Sequence, residues 1–332
     1  MRMKSLKYLL LAFIFLFGWI KSQAQDAHLS QYKAALLLLN PALTGMSDNS
    51  DIRFSGTYRS QWGVLGNSFI TTALAVDVPY EEKWGFGAYV LHTDATNVFT
   101  TFNTVLSAAY DIASRNSDYQ LTVGLQLGLI YERTNDNKLI FDNQYKNDAG
   151  NFDGDLPSGE RFERHNIFMP EVNMGVFYRH TDRGSNYNPY GGISLLHTTS
   201  PKESFIGGSE SRLPMRIVAI GGSKIRINQN LFLDPSIIFM VQGKANELNI
   251  GMLADYQIKR TLYNVLGGVS YRHQDAIILH TGLRHGDNTY RLSYDINTFP
   301  LKRYTNGFGA LELSVIYNGS NKRRRNANVA RF

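Results

Sequence analysis

Between Leu121 and Tyr131 every second residue is apolar: Leu121, Val123, Leu125, Leu127, Leu129 and Tyr131 are separated by Thr122, Gly124, Gln126, Gly128 and Ile130. Side chains along a strand point alternately to opposite faces, so this spacing makes one oily face. A helix would scatter the same leucines around its circumference. The pattern recurs with charges on the second face. Ile52, Phe54 and Tyr58 alternate with Arg53, Ser55, Thr57 and Arg59; Tyr290, Leu292, Tyr294 and Ile296 alternate with Arg291, Ser293, Asp295 and Asn297; Leu311, Leu313, Val315 and Tyr317 alternate with Glu312 and Ser314. A soluble sandwich turns its polar face to bulk water and its apolar face to a shared core. A barrel in lipid turns the oily face outward and lines its lumen with polar groups.

About fourteen such segments run along the chain, each near the ~10 residues that a tilted membrane strand needs. They fall near 51–59, 68–77, 84–93, 100–112, 119–131, 171–181, 188–198, 213–226, 231–242, 246–258, 261–272, 275–284, 289–299 and 308–318. The fold expected is all-β: a closed antiparallel transmembrane β-barrel with both termini periplasmic, since an even strand count returns the chain to its starting side. Loop lengths agree with that parity. The longest connections, 132–170 and about 199–212, follow the fifth and seventh strands and so share the outer side, whereas Asn228-Gln229-Asn230 and Lys259-Arg260 are turn-sized. Pro79, Pro157 and Pro300 fall in expected loops, Pro189 and Pro214 near strand ends, and Pro235 interrupts a strand, where a bulge or broken ladder is expected. The 29 Gly, 19 Tyr and 19 Phe suit strands and interfacial girdles, a composition that a secreted β-sandwich or repeat protein would share.

Residues 1–24 read as a signal peptide: Arg2, Lys4 and Lys7 precede an apolar run from Leu9 to Ile20, and Ser22-Gln23-Ala24 offers small residues for cleavage. The run is roughly a dozen residues, against about 20 for a membrane helix. Removing the leader's four basic residues (Arg2, Lys4, Lys7, Lys21) takes the net charge from +6 to +2, and no basic stripe crosses the body. Nucleic-acid binding is thereby excluded. There is no cysteine, hence no disulfide, thiolate metal site or lipid-bearing cysteine after the leader. Segment 25–50 does not alternate; its run Ala34 to Leu39 before Asn40-Pro41-Ala42 reads as a short apolar turn or helix that ends at the proline and plugs the lumen or rests on the rim. The barrel spans 51–318, and 319–332 forms a basic periplasmic tail.

Candidate chemistry is sparse. Eight scattered histidines show no HxH or HxxxH zinc spacing. A hydrolase would need a serine and a histidine meeting on the outer wall with a third group orienting the imidazole, and Ser270 with His280 is the pair that neighbouring strands bring near. Asp148, Asp153 and Asp155 in the 132–165 loop lack a calcium-hand spacing and read as a solvated loop or a calcium- or partner-binding one. No enzyme activity and no cofactor are expected. Arg53, Arg59, Arg272, Arg291, Asp295 and Glu312 meet where the first and last strands close the barrel. They form either a self-satisfied lumenal network or a polar surface for a plug or client peptide; both require inward side chains, because an arginine in mid-bilayer costs roughly 2–4 kcal/mol. Gln61 and Trp62 sit in the first outer loop, where the tryptophan is a belt residue or a contact anchor, and Trp84 suits the periplasmic belt. Lys322, Arg323, Arg324, Arg325 and Phe332 form a tail that is solvated, touches outer-membrane lipid headgroups, or docks on a periplasmic partner.

An ordered set of short motifs carries a resemblance. Leu29-Ser30-Gln31-Tyr32, Leu39-Asn40-Pro41-Ala42-Leu43-Thr44-Gly45, Arg59-Ser60-Gln61-Trp62-Gly63, Asp234-Pro235-Ser236, Gly268-Val269-Ser270-Tyr271-Arg272 and Leu292-Ser293-Tyr294-Asp295-Ile296 follow one another in this chain. In that order it resembles the PorP/SprF family of the type IX secretion system of Bacteroidetes. It departs from the family pattern at Gly66-Asn67-Ser68, Ala310-Leu311-Glu312 and Ala330-Arg331-Phe332. The resemblance implies a non-enzymatic outer-membrane barrel of the secretion or gliding machinery. Its implied partners are a secreted, adhesin-type client with a C-terminal sorting domain, whose export or surface anchoring it serves, and periplasmic components of the machine. A transport barrel for a small hydrophobic solute is the alternative.

Overall fold

The computed structural model describes residues 26–46, 50–63, 68–113, 117–135, 139, 141–146, 150–157, 159, 163–182, 184–205, 210–298, 305 and 307–320. The expected signal peptide and the tail residues Lys322, Arg323, Arg324, Arg325 and Phe332 lie outside them. Fourteen strands close into one antiparallel barrel. In chain order they are β1 (Ile52–Gln61), β2 (Phe69–Tyr80), β3 (Trp84–Ala95), β4 (Phe99–Asp111), β5 (Tyr119–Thr134), β6 (Asn166–His180), β7 (Tyr187–Leu196), β8 (Arg216–Arg226), β9 (Leu231–Gln242), β10 (Ala245–Gln257), β11 (Tyr263–Arg272), β12 (Ala276–His285), β13 (Asn288–Asn297) and β14 (Phe308–Gly319). Each pairs with its sequence neighbour, and β14 returns to β1 with Ile52 opposite Gly319 and Gln61 opposite Ala310. Closure leaves no strand edge unpaired, which a bilayer demands because it offers the backbone no other hydrogen-bond partner.

Alternation sets the two faces. On β5, Val123, Leu125, Leu127 and Leu129 are exposed on the outer wall while Thr122, Gln126 and Ile130 are buried inside. On β13 and β14, Leu292, Leu311, Leu313 and Val315 face out and Ser293, Asp295, Glu312 and Ser314 are buried. Aromatic rings gather at both outer margins. Tyr80, Trp84, Phe86 and Tyr110 cluster at the short-turn end, with Trp84 and Phe86 centroids 6.0 Å apart and parallel; Phe69, Phe99, Phe102, Tyr131 and Phe168 lie at the other. That is the girdle pattern of a barrel whose oily band meets two interfaces.

Connections 135–165 and 197–215 both leave the end where β1 finishes, and turns such as 81–83 and 286–287 close the opposite end. β5 runs three residues past its expected end and β6 begins five earlier, so Pro170 lies inside a strand opposite Leu129. The long loop also holds a small hairpin, Tyr145–Lys146 against Asn151–Phe152, that alternation did not reveal. Pro79, expected in a loop, is the penultimate residue of β2, next to the turn, where losing one ladder bond costs least. Pro235 makes no bulge: β9 pairs with β10 without a break, and toward β8 the ladder skips the rungs of Pro235 and Asp234 while keeping register. The wall's register shift falls elsewhere, between Asp295 and Ile296, where β14 carries Gly309 as an extra residue.

The lumen is filled, and it is polar only in part. Residues 26–46 run through it as 3-10 turns Tyr32–Ala34 and Pro41–Leu43 flanking one helical turn, Leu36–Leu39. Leu39, Ala42 and Leu43 pack on inward Phe177, Leu196, Val218, Ile220, Ile238 and Met240, while Leu37 packs on Tyr89 and Val105. The oily inner sector of β6–β9 is therefore a core shared with the plug, each fully buried leucine contributing roughly 1.5–3 kcal/mol. The plug crosses from end to end. Asp26 meets His197, Arg216 and Gln242 at the long-loop end, whereas Gly45 meets Asp77, Pro79 and Gly85 at the short-turn end. Both ends of the barrel wall, Ile52 and Gly319, share the short-turn end. Asp26 thus stands at the opposite end from Ile52, because the chain traverses the lumen once before its first strand.

Candidate functional site: an ionic clamp on the lumenal plug

Four groups of wall residues hold the plug. Closure of β1 on β14, with β13 and β11 nearby, brings Arg59, Arg272, Asp295 and Glu312 together as a fully buried quartet, each at most 2% exposed. Arg59 reaches Asp295 at 3.0 Å and Glu312 at 3.2 Å, and Arg272 reaches Asp295 at 2.7 Å and Asp275 at 2.5 Å. The plug's Ser30-Gln31 docks on this quartet. The Ser30 amide donates to Glu312 at 2.6 Å and the Gln31 amide to its other oxygen at 2.8 Å. The Ser30 hydroxyl donates to Asp295 at 2.7 Å and accepts from Arg59 at 2.5 Å. Gln31 Nε2 donates to the Glu312 carbonyl at 2.8 Å, and the Tyr32 hydroxyl bonds Glu247. Charges this far from water persist only when paired and hydrogen-bonded, and the plug supplies the donors that complete the carboxylates.

Midway down, backbone groups of the plug meet side chains of the wall. Gln126 Nε2 donates to the Leu37 carbonyl at 2.9 Å and the Ser194 hydroxyl to that of Leu39 at 2.6 Å. Asn40 donates from Nδ2 to the Val176 carbonyl at 3.1 Å and accepts at Oδ1 from the Ala42 amide at 2.9 Å, capping the turn that Pro41 begins. The wall comes close because it carries glycine there: a Cβ on Gly175 would stand 2.1 Å from Asn40 Oδ1, and one on Gly124 2.2 Å from the Pro41 carbonyl carbon. At the short-turn end Arg53 grips Asp77 with two bonds, 2.8 and 2.9 Å, and donates to the Leu43 carbonyl at 3.3 Å, while the Gly45 amide donates to Asp77 at 2.7 Å.

At the long-loop end Asp26 lies 2.7 Å from His197 Nε2 and 3.4 Å from Arg216, and Glu171 lies 3.1 Å from His197 Nδ1. Burial alone would lower the imidazole's pKa, but the charge and hydrogen bond of Asp26 and then Glu171 push it up to about 10. Burial likewise opposes ionisation of Asp26, yet His197, Arg216 and Gln242 hold its carboxyl well below the usual range.

Of the residues singled out in the sequence, Arg59, Arg272, Asp295 and Glu312 join one clamp and Arg53 another. The Arg59–Arg272–Asp295–Glu312 network pairs its own charges and also contacts the plug at Ser30 and Gln31. Arg291 points inward but joins neither clamp. Gln61 ends β1, and the Trp62 ring meets the exposed Phe69 ring edge-on, centroids 5.1 Å apart. Ser270 Oγ and His280 Nε2 meet at 2.5 Å, but inside the lumen and not on the outer wall. Among the described residues no carboxylate reaches ion-pair distance of His280, and no group of three or more His, Cys, Asp or Glu is placed to hold a metal. In the long loop Asp153 pairs with Lys146 and accepts the Asp155 amide at 3.0 Å; Asp148 lies outside the described residues. Asp77, Asp26, Glu247, Gln126 and Asn40 join the clamps without having stood out in the sequence as site residues. Asp77 was within reach, being a carboxylate on the lumenal parity of an otherwise apolar strand.

An outward oily wall with a self-contained, clamped plug defines a membrane β-barrel closed by its own N-terminal segment. Residues 21–317 match the family described as type IX secretion system membrane protein PorP/SprF, and the chain belongs to that family. Comparison with curated proteins finds no match. Among solved structures it is similar to the Ralstonia pickettii toluene transporter TbuX, at 10% identity over 86% of this chain and 92% of that one, TM-score 0.50. It is also similar to the Pseudomonas putida toluene transporter TodX (11%, 85% and 92%, TM-score 0.47) and to the monoaromatic hydrocarbon channel CymD (10%, 92% and 96%, TM-score 0.49). At such identities the likeness speaks of the fold alone.

Proposed function

We propose that this chain is a non-enzymatic outer-membrane barrel of the type IX secretion machinery that binds a secreted, adhesin-type client and helps to export it or hold it at the surface. Membership of the secretion family supports the setting. The observation that carries the reading is the clamped plug: residues 26–46 fill the lumen and are bonded to the wall at both ends and the middle. A barrel so filled works as a docking body, so partners meet it at its rims. With the long loops 135–165 and 197–215 outside, the short-turn end faces the periplasm. The client's sorting domain and periplasmic components of the machine are the partners, and the basic residues Lys322, Arg323, Arg324 and Arg325 supply a cationic contact on the periplasmic side.

The test is affinity purification of the intact protein from its own outer membrane after mild cross-linking. Recovery of one secreted protein with a C-terminal sorting domain, together with periplasmic machine components, is the expected result. A preparation that yields neither overturns the reading.

A further inference from the structure

Beside the plug, between it and the inner faces of β8–β13, the barrel keeps a cavity of about 230 Å3. Ser30, Gln31 and Tyr32 of the clamped plug line one side of it, and it extends toward the short-turn end, where Lys224, Phe232, Asp255 and Arg284 line it. Two of its charge pairs are self-balanced: Lys33 with Asp234 at 2.6 Å and Arg284 with Asp255 at 2.5 Å. Two cations remain over. Lys224 sits above the Phe232 ring, 5.7 Å from its centroid. Arg291 points into the cavity from β13, and its solvent-shielded Nε has no hydrogen-bond partner. Arg59, which also leaves its Nε unpartnered, still holds two carboxylates through its terminal nitrogens; Arg291 holds none within ion-pair distance among the described residues.

A guanidinium Nε shut off from water without a partner is costly, and the planar fork beyond it suits a carboxylate held by two parallel bonds. Part of the wall is oily: Leu266 and Ile238 are buried there beside the Phe232 ring, among polar Ser236, Asn249, Ser270, His280 and Thr281. We propose that this cavity binds a small carboxylate carried on an apolar body, with Arg291 as the anchor and Leu266, Ile238 and Phe232 as the seat. The site goes beyond the client-docking reading and stands without it, since a barrel that failed to recover any client would still carry this cavity.

The probe is phenylacetate, titrated calorimetrically into the intact protein in lipid nanodiscs, with its neutral analogue 2-phenylethanol and inorganic phosphate alongside. Saturable phenylacetate binding is expected, weakened about tenfold or more by Arg291→Gln, as loss of a charge-assisted pair implies. 2-Phenylethanol should bind more weakly and be indifferent to that change. Leu266→Trp, which keeps the charge and fills the seat, should also abolish binding, and decides the matter if Arg291→Gln fails to assemble. Absence of saturable binding, or equal binding by the Arg291→Gln protein, overturns the proposal. So does 2-phenylethanol binding as tightly as phenylacetate, which would make the cavity a neutral-solute site, or phosphate binding as tightly, which would leave the oily seat without a role.

Discussion

Arg59 shows what one residue does in this barrel. It touches both carboxylates of the clamp and the plug's Ser30, at 1% exposure. Arg59→Met should leave Asp295 and Glu312 short of a counter-charge and destabilise the protein by about 3–5 kcal/mol, read as a lower urea midpoint in detergent. Adding Glu312→Gln should restore part of that loss, because the uncompensated charge goes with it; a double variant no better than the single would show that charge balance is not what matters here. His197 gives a pH signature. Its pKa rises from the ordinary 6.5 to about 10 in the folded protein, so its contribution is complete below 6.5 and lost as the pH climbs through about 10. The groups that face it are Asp26, Arg216, Glu171 and Glu203. Proteolytic access to the plug's first residues should therefore increase between those pH values, and His197→Gln should flatten the rise by freeing those residues already at neutral pH.

At the scale of elements, the plug and the wall fit through backbone contacts, not through a continuous strand pairing. Its motif Asn40-Pro41-Ala42 was visible as a helix stop, but the glycines that receive it, Gly124 and Gly175, lie far along the chain on two different strands. No periodicity links them. Thr44 and Ser107 place their hydroxyl oxygens 2.5 Å apart, plug against β4. Since the chain has no cysteine of its own, the pair Thr44→Cys and Ser107→Cys should form one clean disulfide under oxidising conditions, seen as a mobility change on unreduced gels. Failure to cross-link would remove the plug from the lumen. The strands themselves were nearly all legible, within a few residues, because alternation reports which face of a strand meets lipid. Boundaries drifted where polarity no longer alternates along the sequence, as at Ile130 to Thr134 of β5 and Asn166 to Pro170 of β6, although the latter rungs still point alternately in and out.

For the whole molecule the decisive quantity is the sign of the faces. Leu125 and Leu127 stand on the outer wall at 48% and 56% exposure, and Gln126 between them is buried against the plug. Leu125→Arg should cost roughly 2–4 kcal/mol of insertion at mid-bilayer and lower the folded, heat-modifiable fraction after refolding into vesicles. Gln126→Leu should spare insertion and loosen the plug instead, because it deletes the bond to the Leu37 carbonyl without touching the lipid face. Equal effects of the two substitutions on insertion would undo the assignment of faces.

From its alternation the amino-acid sequence alone determined a lipid-facing barrel of fourteen strands, with arginines and carboxylates turned inward, since a dyad pattern needs only neighbours one or two residues away. What filled the barrel was decided by tertiary structure. Residues 26–46 carry no period, so their course through the lumen depends on groups that barrel closure brings together from β1, β11, β13 and β14, hundreds of positions apart. The same holds for Arg291 and its cavity: parity turns it inward, but only the packed structure decides that among the described residues no carboxylate reaches it.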